Sequence, residues 1–360
     1  MPALDRWEQG SEFHWPQYGR TAPDITSWSN ASWWGSGRDA FRALLSYGEM
    51  TRGWRRLWLP AYFCQEIVAA FASTGIALKV YPDGPQQASP DLDQLKWQTG
   101  DVMLRCNYFG LRMLPSARGL QTNGITVIDD HTHDPWSESA LTSDADWCVA
   151  SLRKTLPVPD GGILWSPLNH ASPPDISPTS ERQRASLEKM AAMTLKALYL
   201  NRHCIEKETF RRLEFSGESH IASGHVSGMP DWTRNLIETF PIRAWRDHRR
   251  RNHQVLTMAL SNSPWLTVLK PDGHDSVPFS GIVVFDTHAR REFVRRMLIE
   301  KCVYPAVLWP LDSPGVPDID ARSINFSMRM LSIHCDMRYD DSDMLRVASL
   351  IRQFGDEYVG

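Results

Sequence analysis

Apolar positions along the chain fall into short runs separated by longer stretches in which they recur three and four residues apart. The runs ALKVYP at 77–82, DVMLRCNYF at 101–109, ITVIDD at 125–130, DWCVAS at 146–151 and GGILWS at 161–166 are the length of strands. Strands alternating with helical patterns predict an α/β fold with a mainly parallel sheet sandwiched by helices. Ahead of them, GSGRDAFRALLSYG sets Ala40, Leu44 and Leu45 behind a Gly-bracketed turn, which predicts a helix entered from a tight loop. Residues 180–212 are charged, lack proline and carry apolar residues at helical spacing, so one or two amphipathic helices are expected. A second helical stretch, 231–260, is broken at Pro241 and carries Arg249, Arg250 and Arg251, which read as a solvated face. SGIVVFD at 280–286, ARREFVRRMLIEKC, VYPAVLW at 303–309 and DSDMLRVASLIRQF then make a smaller α+β unit. The expected division is a large domain over 1–245 and a small C-terminal domain over 246–360. The Pro- and Ser-rich segment 166–180 reads as a surface loop.

Composition narrows the function without naming it. With 360 residues, 42% of them hydrophobic, the chain can bury a large core in two domains. A net charge of -3, from 39 basic and 42 acidic residues, gives no field that would draw it to nucleic acid or an anionic membrane, so a small-molecule partner is expected. No run approaches the eighteen apolar residues of a spanning helix, and the first twenty residues lack the basic-then-apolar pattern of a leader, so a cytoplasmic protein is expected. Six cysteines without a CxxC pair suit reduced thiols, with neither disulfides nor structural zinc. Fifteen tryptophans fit aromatic core packing, and some could line a pocket.

The chemistry concentrates around ITVIDDHTHD. It ends an apolar strand in Asp129 and Asp130, at the strand edge where open α/β sheets bind ligands. Lys154 follows the next strand in ASLRKTLPVPDGG, so amine and carboxylate should emerge on one edge. Pyridoxal 5'-phosphate needs that pair: an amine for a Schiff base and a carboxylate to keep the pyridine nitrogen protonated. It also needs an anion cradle, which the helix start at Ser36, Gly37 and Arg38 can supply through backbone N–H groups. The alternating His and Asp of Asp129–Asp134 also allow a metal-dependent hydrolase, with further ligands required from other strand ends.

These motifs resemble the DegT/DnrJ/EryC1/StrS family of pyridoxal-phosphate enzymes, mostly nucleotide-sugar aminotransferases. The resemblance spans most of the chain. VIDDHTH matches the family's acidic pair with His or Gln three residues on, making Asp130 the pyridinium partner and His133 the group near the ring hydroxyl. SLRKTLPVPDGG matches its Schiff-base lysine, with Ser151, Lys154, Gly161 and Gly162 in place. Ser36-Gly37-Arg38-Asp39-Ala40-Phe41 looks like its phosphate loop, LPAYFCQE at 59–66 like its segment over the ring, and NYFG at 107–110, with Asn107, like its His-Tyr/Phe-x-Gly turn. The resemblance implies the fold type I architecture with a seven-stranded sheet, an internal aldimine on Lys154, an amino donor and a keto acceptor, and a homodimer with the site at its interface. Here Ser151 stands three residues before the lysine instead of five, Arg38 replaces a small hydroxyl residue, and the ring-stacking position falls on Cys64, flanked by Tyr62 and Phe63. Arg234, Arg249 and Asn252 are the candidates for the contact to a partner's phosphate, and Trp33, Trp34, Tyr62 and Trp309 join Arg38 as candidate substrate contacts. Transfer of an amino group to a keto sugar or small biosynthetic intermediate is the implied reaction. A pyridoxal-phosphate-dependent lyase or decarboxylase remains the alternative, because the same cofactor serves both.

Overall fold

The computed structural model describes residues 6–16, 28, 30–273 and 275–358, without the side chain of Ser223; the rest of the N-terminal stretch, residues 1–5 and 17–20, lies outside them. In chain order the strands are β1 (Gln9–Gly10), β2 (Ser32–Trp34), β3 (Arg56–Pro60), β4 (Ala77–Tyr81), β5 (Asp101–Cys106), β6 (Thr126–Asp130), β7 (Trp147–Ser151), β8 (Gly162–Trp165), β9 (Leu266–Val268), β10 (Gly281–Phe285), β11 (Val303–Tyr304) and β12 (Met330–Ile333). Seven of them form one sheet in the order β2-β8-β7-β6-β5-β3-β4. Strands β3 to β7 pair parallel, β8 runs antiparallel to β7, and β2 runs antiparallel to β8. Every residue of β5 and β7 is buried, as apolar runs covered on both faces require.

The strand expected over 101–109 stops at Cys106, because Asn107 leads into a one-turn helix in which Phe109 takes φ 57. The helix Gly37–Arg52 forms as its pattern predicts: the Ser36 hydroxyl caps the Asp39 N–H, Ala40, Phe41, Leu44 and Leu45 turn inward, and Gly53 ends it at φ 68. Residues 180–212 divide between two helices, Ser180–Leu200 and Lys207–Ser223, that pack on each other. The expected break at Pro241 separates Asp231–Ile237 from Ile242–Leu260.

The helix Ile242–Leu260 runs across the expected boundary at 245 and packs on Asp341–Glu357. The latter, with His288–Glu300, covers a three-stranded antiparallel sheet, β12-β10-β9, around a separate apolar cluster that includes Leu256, Val283 and Ile351. The N-terminal β1 pairs parallel with β11, joining Gln9 to Val303, so the start of the described chain lies against a strand from its C-terminal third. Of the Arg249–Arg251 cluster, Arg249 is 3% exposed and donates to the Thr155 carbonyl at 2.9 Å; the helix face carrying it is interior, not solvated. Among the described residues no helix is long and apolar enough to cross a membrane.

Candidate active site

Strands β6 and β7 run parallel with Asp130 beside Val149, so the loops that leave them open on one edge of the sheet. Alternation along β6 then sorts the DDHTHD motif onto two sides. On one side Asp129 is held two-pronged by Arg105 at 2.8 and 2.9 Å and by the Ser143 hydroxyl at 3.0 Å, and the His131 ring lies 5.9 Å from that of Trp165. On the other side Asp130, Thr132 and His133 line a recess together with Ser36, Gly37, Arg38, Cys64, Ser151 and Lys154.

This sorting bears on the metal reading. Ligand atoms of Asp129, His131 and Cys148 lie within 4.8 Å of one another, all buried. The Asp129 carboxylate is already committed to a guanidinium, whose charge opposes a dication at the same spot. Asp134, which closes the motif, is likewise paired, with Arg246 at 2.8 and 3.0 Å.

Within the recess, the Thr132 N–H donates to Asp130 Oδ1 at 2.9 Å, and burial pushes the Asp130 carboxyl up to about 6 against the lowering effect of the Thr132 bonds. Thr132 also accepts the Ser151 N–H on its hydroxyl at 3.1 Å, which locks the ends of β6 and β7 together. His133 Nδ1 accepts the Phe109 N–H at 3.1 Å. The ring proton therefore resides on Nε2. Burial, then the nearby Lys154 charge, lowers His133 to about 3, so the imidazole is neutral. Lys154 stands exposed at the end of a single turn, Leu152–Lys154, that follows β7. Its charge reaches His133, Cys64 and Glu12.

The third wall is the start of the helix Gly37–Arg52. The Asp39 N–H goes to the Ser36 hydroxyl at 3.1 Å and the Ala40 N–H to the Ser36 carbonyl at 3.1 Å. Helix geometry leaves the N–H groups of Gly37 and Arg38 pointing out of the positive end. A Cβ on Gly37 would stand 2.8 Å from Ser151 Cβ, so only glycine lets the helix start approach the end of β7 this closely. The Ser36 hydroxyl donates to Asp39 Oδ2 at 2.8 Å, which makes it a cap more than a ligand-facing group, and Asp39 is paired with Arg182 at 2.6 Å. Arg38 holds Glu66 at 3.0 Å on the rim.

Three of the expected cofactor residues do not line the recess. Tyr62 is fully buried, edge-on to Phe326 at 4.9 Å, and Phe63 stacks on Phe71 at 6.4 Å; both belong to the core beneath. Asn107 is buried and gives its backbone N–H to the Asp130 carbonyl at 3.0 Å. Of the segment 62–64 only the Cys64 thiol reaches the recess. The aromatic wall comes instead from the small unit: Trp309 lines the recess with its ring 5.7 Å from His133 and inclined by 25°. Arg249 and Asn252 are buried and bonded within their own chain, Asn252 to the carbonyls of Cys335, Asp336 and Tyr339, so neither faces a partner; Arg234 lies over Trp33 at 5.0 Å. Thr132 was not singled out from the sequence, although Asp-x-Thr at a strand end is the signature of a local side-chain turn. Arg153, beside the lysine, was also passed over, and is fixed by Glu218 at 2.5 and 2.7 Å.

No family model matches this sequence, and no curated protein matches it. Solved structures do. DesV of S. venezuelae superposes with TM-score 0.61 at 15% identity, over 92% of this chain and 85% of that one. The pyridoxal-phosphate form of Spr1654 from Streptococcus pneumoniae, described as a sugar aminotransferase, gives 0.64 at 12% identity over 92% and 88%. A DegT DnrJ EryC1 StrS aminotransferase from Brucella abortus gives 0.60 at 14% identity over 90% and 86%. The chain thus has the fold of the pyridoxal-phosphate-dependent aminotransferases, and the α/β architecture expected from its sequence is the one observed.

Proposed function

We propose that the chain is a pyridoxal-phosphate enzyme, an aminotransferase of the DegT/DnrJ/EryC1/StrS kind, that bonds its cofactor through Lys154. The observation that carries this reading is convergence: Lys154, Asp130, His133 and the open helix start at Gly37 meet in one recess. The residues fit the group. A buried carboxylate whose polar neighbours are Thr132 and the like-charged Asp129 suits a pyridinium, and the glycine-only approach at Gly37 suits a phosphate.

Bound there, the cofactor supplies an electron sink for the bond that breaks at the substrate Cα. Asp130 holds the proton on the ring nitrogen. His133, with its proton on Nε2, offers a donor to the ring hydroxyl oxygen. The N–H groups of Gly37 and Arg38 and the Ser151 hydroxyl hold the phosphate, while Cys64 and Trp309 wall the ring. With the cofactor bound, the Lys154 amine would move the substrate Cα proton as general base and acid. Amino donor and keto acceptor use the site in turn. We further infer a homodimer acting in the cytoplasm, the free thiols of all six cysteines suiting a reducing compartment.

Borohydride reduction of the cofactor-loaded protein, followed by peptide mass spectrometry, tests the site. The label should map to Lys154 and vanish in Lys154→Ala. A label on Lys96 or Lys196 would overturn it; Lys196 is buried, bonded to Ser11 and the Glu12 carbonyl at 2.9 and 2.7 Å. Glutamate should then release 2-oxoglutarate in a half-reaction. If no amino donor does so while Lys154 carries the label, a lyase takes the place of the aminotransferase. A fully active monomer in light scattering would remove the dimer.

A further inference from the structure

A second chamber, of about 410 Å³, opens beside the recess and joins it at Arg153, Lys154, Phe279 and Leu308. The N-terminal segment closes one side with Glu12 and Phe13, the helix Lys207–Ser223 a second, and the small unit a third through Tyr304 and His334. Its size and its junction with Lys154 make it the space in which the non-reacting part of a substrate would lie.

The charges of this chamber are distributed unevenly in availability. Three carboxylates, Glu12, Glu214 and Glu218, face three cations, Arg153, Lys154 and Arg211. Both guanidinium groups are taken: Arg153 grips Glu218 with two bonds of 2.5 and 2.7 Å, and Arg211 holds Glu214 at 3.2 Å. Lys189, behind the wall, adds 2.6 Å to Glu218 and 3.3 Å to Glu12. His334 is kept neutral by burial, which lowers it in spite of Asp336. Two of the carboxylates, Glu12 and Glu214, by contrast, retain capacity. Glu214 Oε1 is buried without a hydrogen-bond partner, and Glu12 is half exposed with one loose ion pair. A diphosphate entering here would have to break an ion pair in a partly desolvated site and leave a carboxylate uncompensated. An ammonium or hydroxyl would instead find an acceptor that lacks a donor.

We propose that this chamber seats a small amino polyol without phosphate, whose ammonium and hydroxyl groups are received by Glu12 and Glu214. The proposal rests on Lys154 as the reacting group, since that residue joins chamber to recess. It separates this chain in substrate class from enzymes that take nucleotide-linked sugars.

Calorimetric titration of the cofactor-loaded protein with glucosamine and with UDP-glucose tests it, with borohydride labelling of Lys154 read beforehand on the same sample. Glucosamine should bind at least about tenfold more tightly than UDP-glucose, the worth of one charge-assisted hydrogen bond. Glu12→Gln and Glu214→Gln should each weaken glucosamine by a similar factor with labelling at Lys154 intact, and Glu12→Lys should move the preference toward UDP-glucose. Tighter or equal binding of UDP-glucose, binding of neither compound, or glucosamine binding indifferent to all three substitutions would overturn the proposal. Failure to label Lys154 is a separate result: it removes the reading of the recess, while the titrations still report on the chamber.

Discussion

The Phe109 N–H donates to Nδ1 of His133 at 3.1 Å, tying the turn after β5 to the loop after β6. This one bond fixes the tautomer of a buried imidazole packed between Phe279 and Trp309, at 4.8 and 5.7 Å. His133→Phe keeps the ring and removes the acceptor. The stranded N–H should cost about 1–3 kcal/mol in urea unfolding of the cofactor-free protein at pH 7. The pH dependence is a second readout. Because the folded His133 sits at about 3 and an unfolded histidine near 6.5, the unfolded chain takes up a proton that the folded one refuses, and stability contributed by the neutral ring falls as pH drops below 6.5. At pH 5 that loss is about 2 kcal/mol in the wild type and absent in the variant. The stability gap should therefore close on acidification. A gap that stays constant from pH 7 to pH 5 would mean that His133 is not buried neutral.

Asp130 carries the opposite sign. Its carboxyl is raised from 3.8 to about 6 by burial, so the folded protein keeps a proton that the unfolded chain releases. Stability from this group is complete below about pH 4 and is lost as pH rises through 6. The shift of about two pH units corresponds to roughly 3 kcal/mol. Asp130→Asn, which can still accept the Thr132 N–H, should thus stabilise the cofactor-free protein at pH 7.5, by up to that amount, and do nothing near pH 4. The same variant should lose turnover by orders of magnitude, because a neutral amide cannot keep a pyridine nitrogen protonated. Unfolding curves at the two pH values and one rate measurement separate the effects. A variant less stable at pH 7.5 with turnover intact would refute the assignment.

The parallel strands were legible because burial on both faces leaves uninterrupted apolar runs, and β5, β6 and β7 lie within the runs that predict them. That Lys154, Asp130 and His133 would meet was legible for a related reason: each sits at or just past the end of such a strand, where the sheet edge gathers residues distant in sequence. What sequence could not show depends on long-range packing. Nothing in LPAYFCQE distinguishes the two aromatic residues that sink into the core from the thiol that stays at the recess, since that choice is made by Phe71, Phe326 and Trp309 arriving from elsewhere. Nor does the Arg249–Arg251 run announce that its first member turns inward to the Thr155 carbonyl. The two-residue β1 is too short for any periodic signal, and its place beside β11 follows from pairing alone.

The tight approach of Gly37 to Ser151 gives a sharp mutational contrast. At most helical positions alanine is favoured over glycine by roughly 0.5–1 kcal/mol, because it loses less backbone entropy on folding. Gly119 is such a position: at the second residue of a short helix, a Cβ there would meet nothing within 4 Å, so Gly119→Ala should be neutral or mildly stabilising. Gly37 also lies in the first turn of its helix, directly after the cap Ser36, yet its Cβ would stand 2.8 Å from Ser151 Cβ, 3.2 Å from its Cα and 3.3 Å from its backbone nitrogen. None of these atoms is the end of a flexible side chain, so the helix start and the end of β7 must part. Separation should cost about 1–3 kcal/mol, as overpacking of a well-filled site does. It should also disturb more than stability, because the Ser151 N–H is bonded to Thr132, and Thr132 in turn to Asp130. Phosphate affinity, measured by how strongly inorganic phosphate competes with cofactor uptake, should fall in Gly37→Ala and stay unchanged in Gly119→Ala. If the two variants behave alike, in unfolding and in phosphate competition, the helix start at Gly37 is not the anion cradle and the recess holds its ligand by other means.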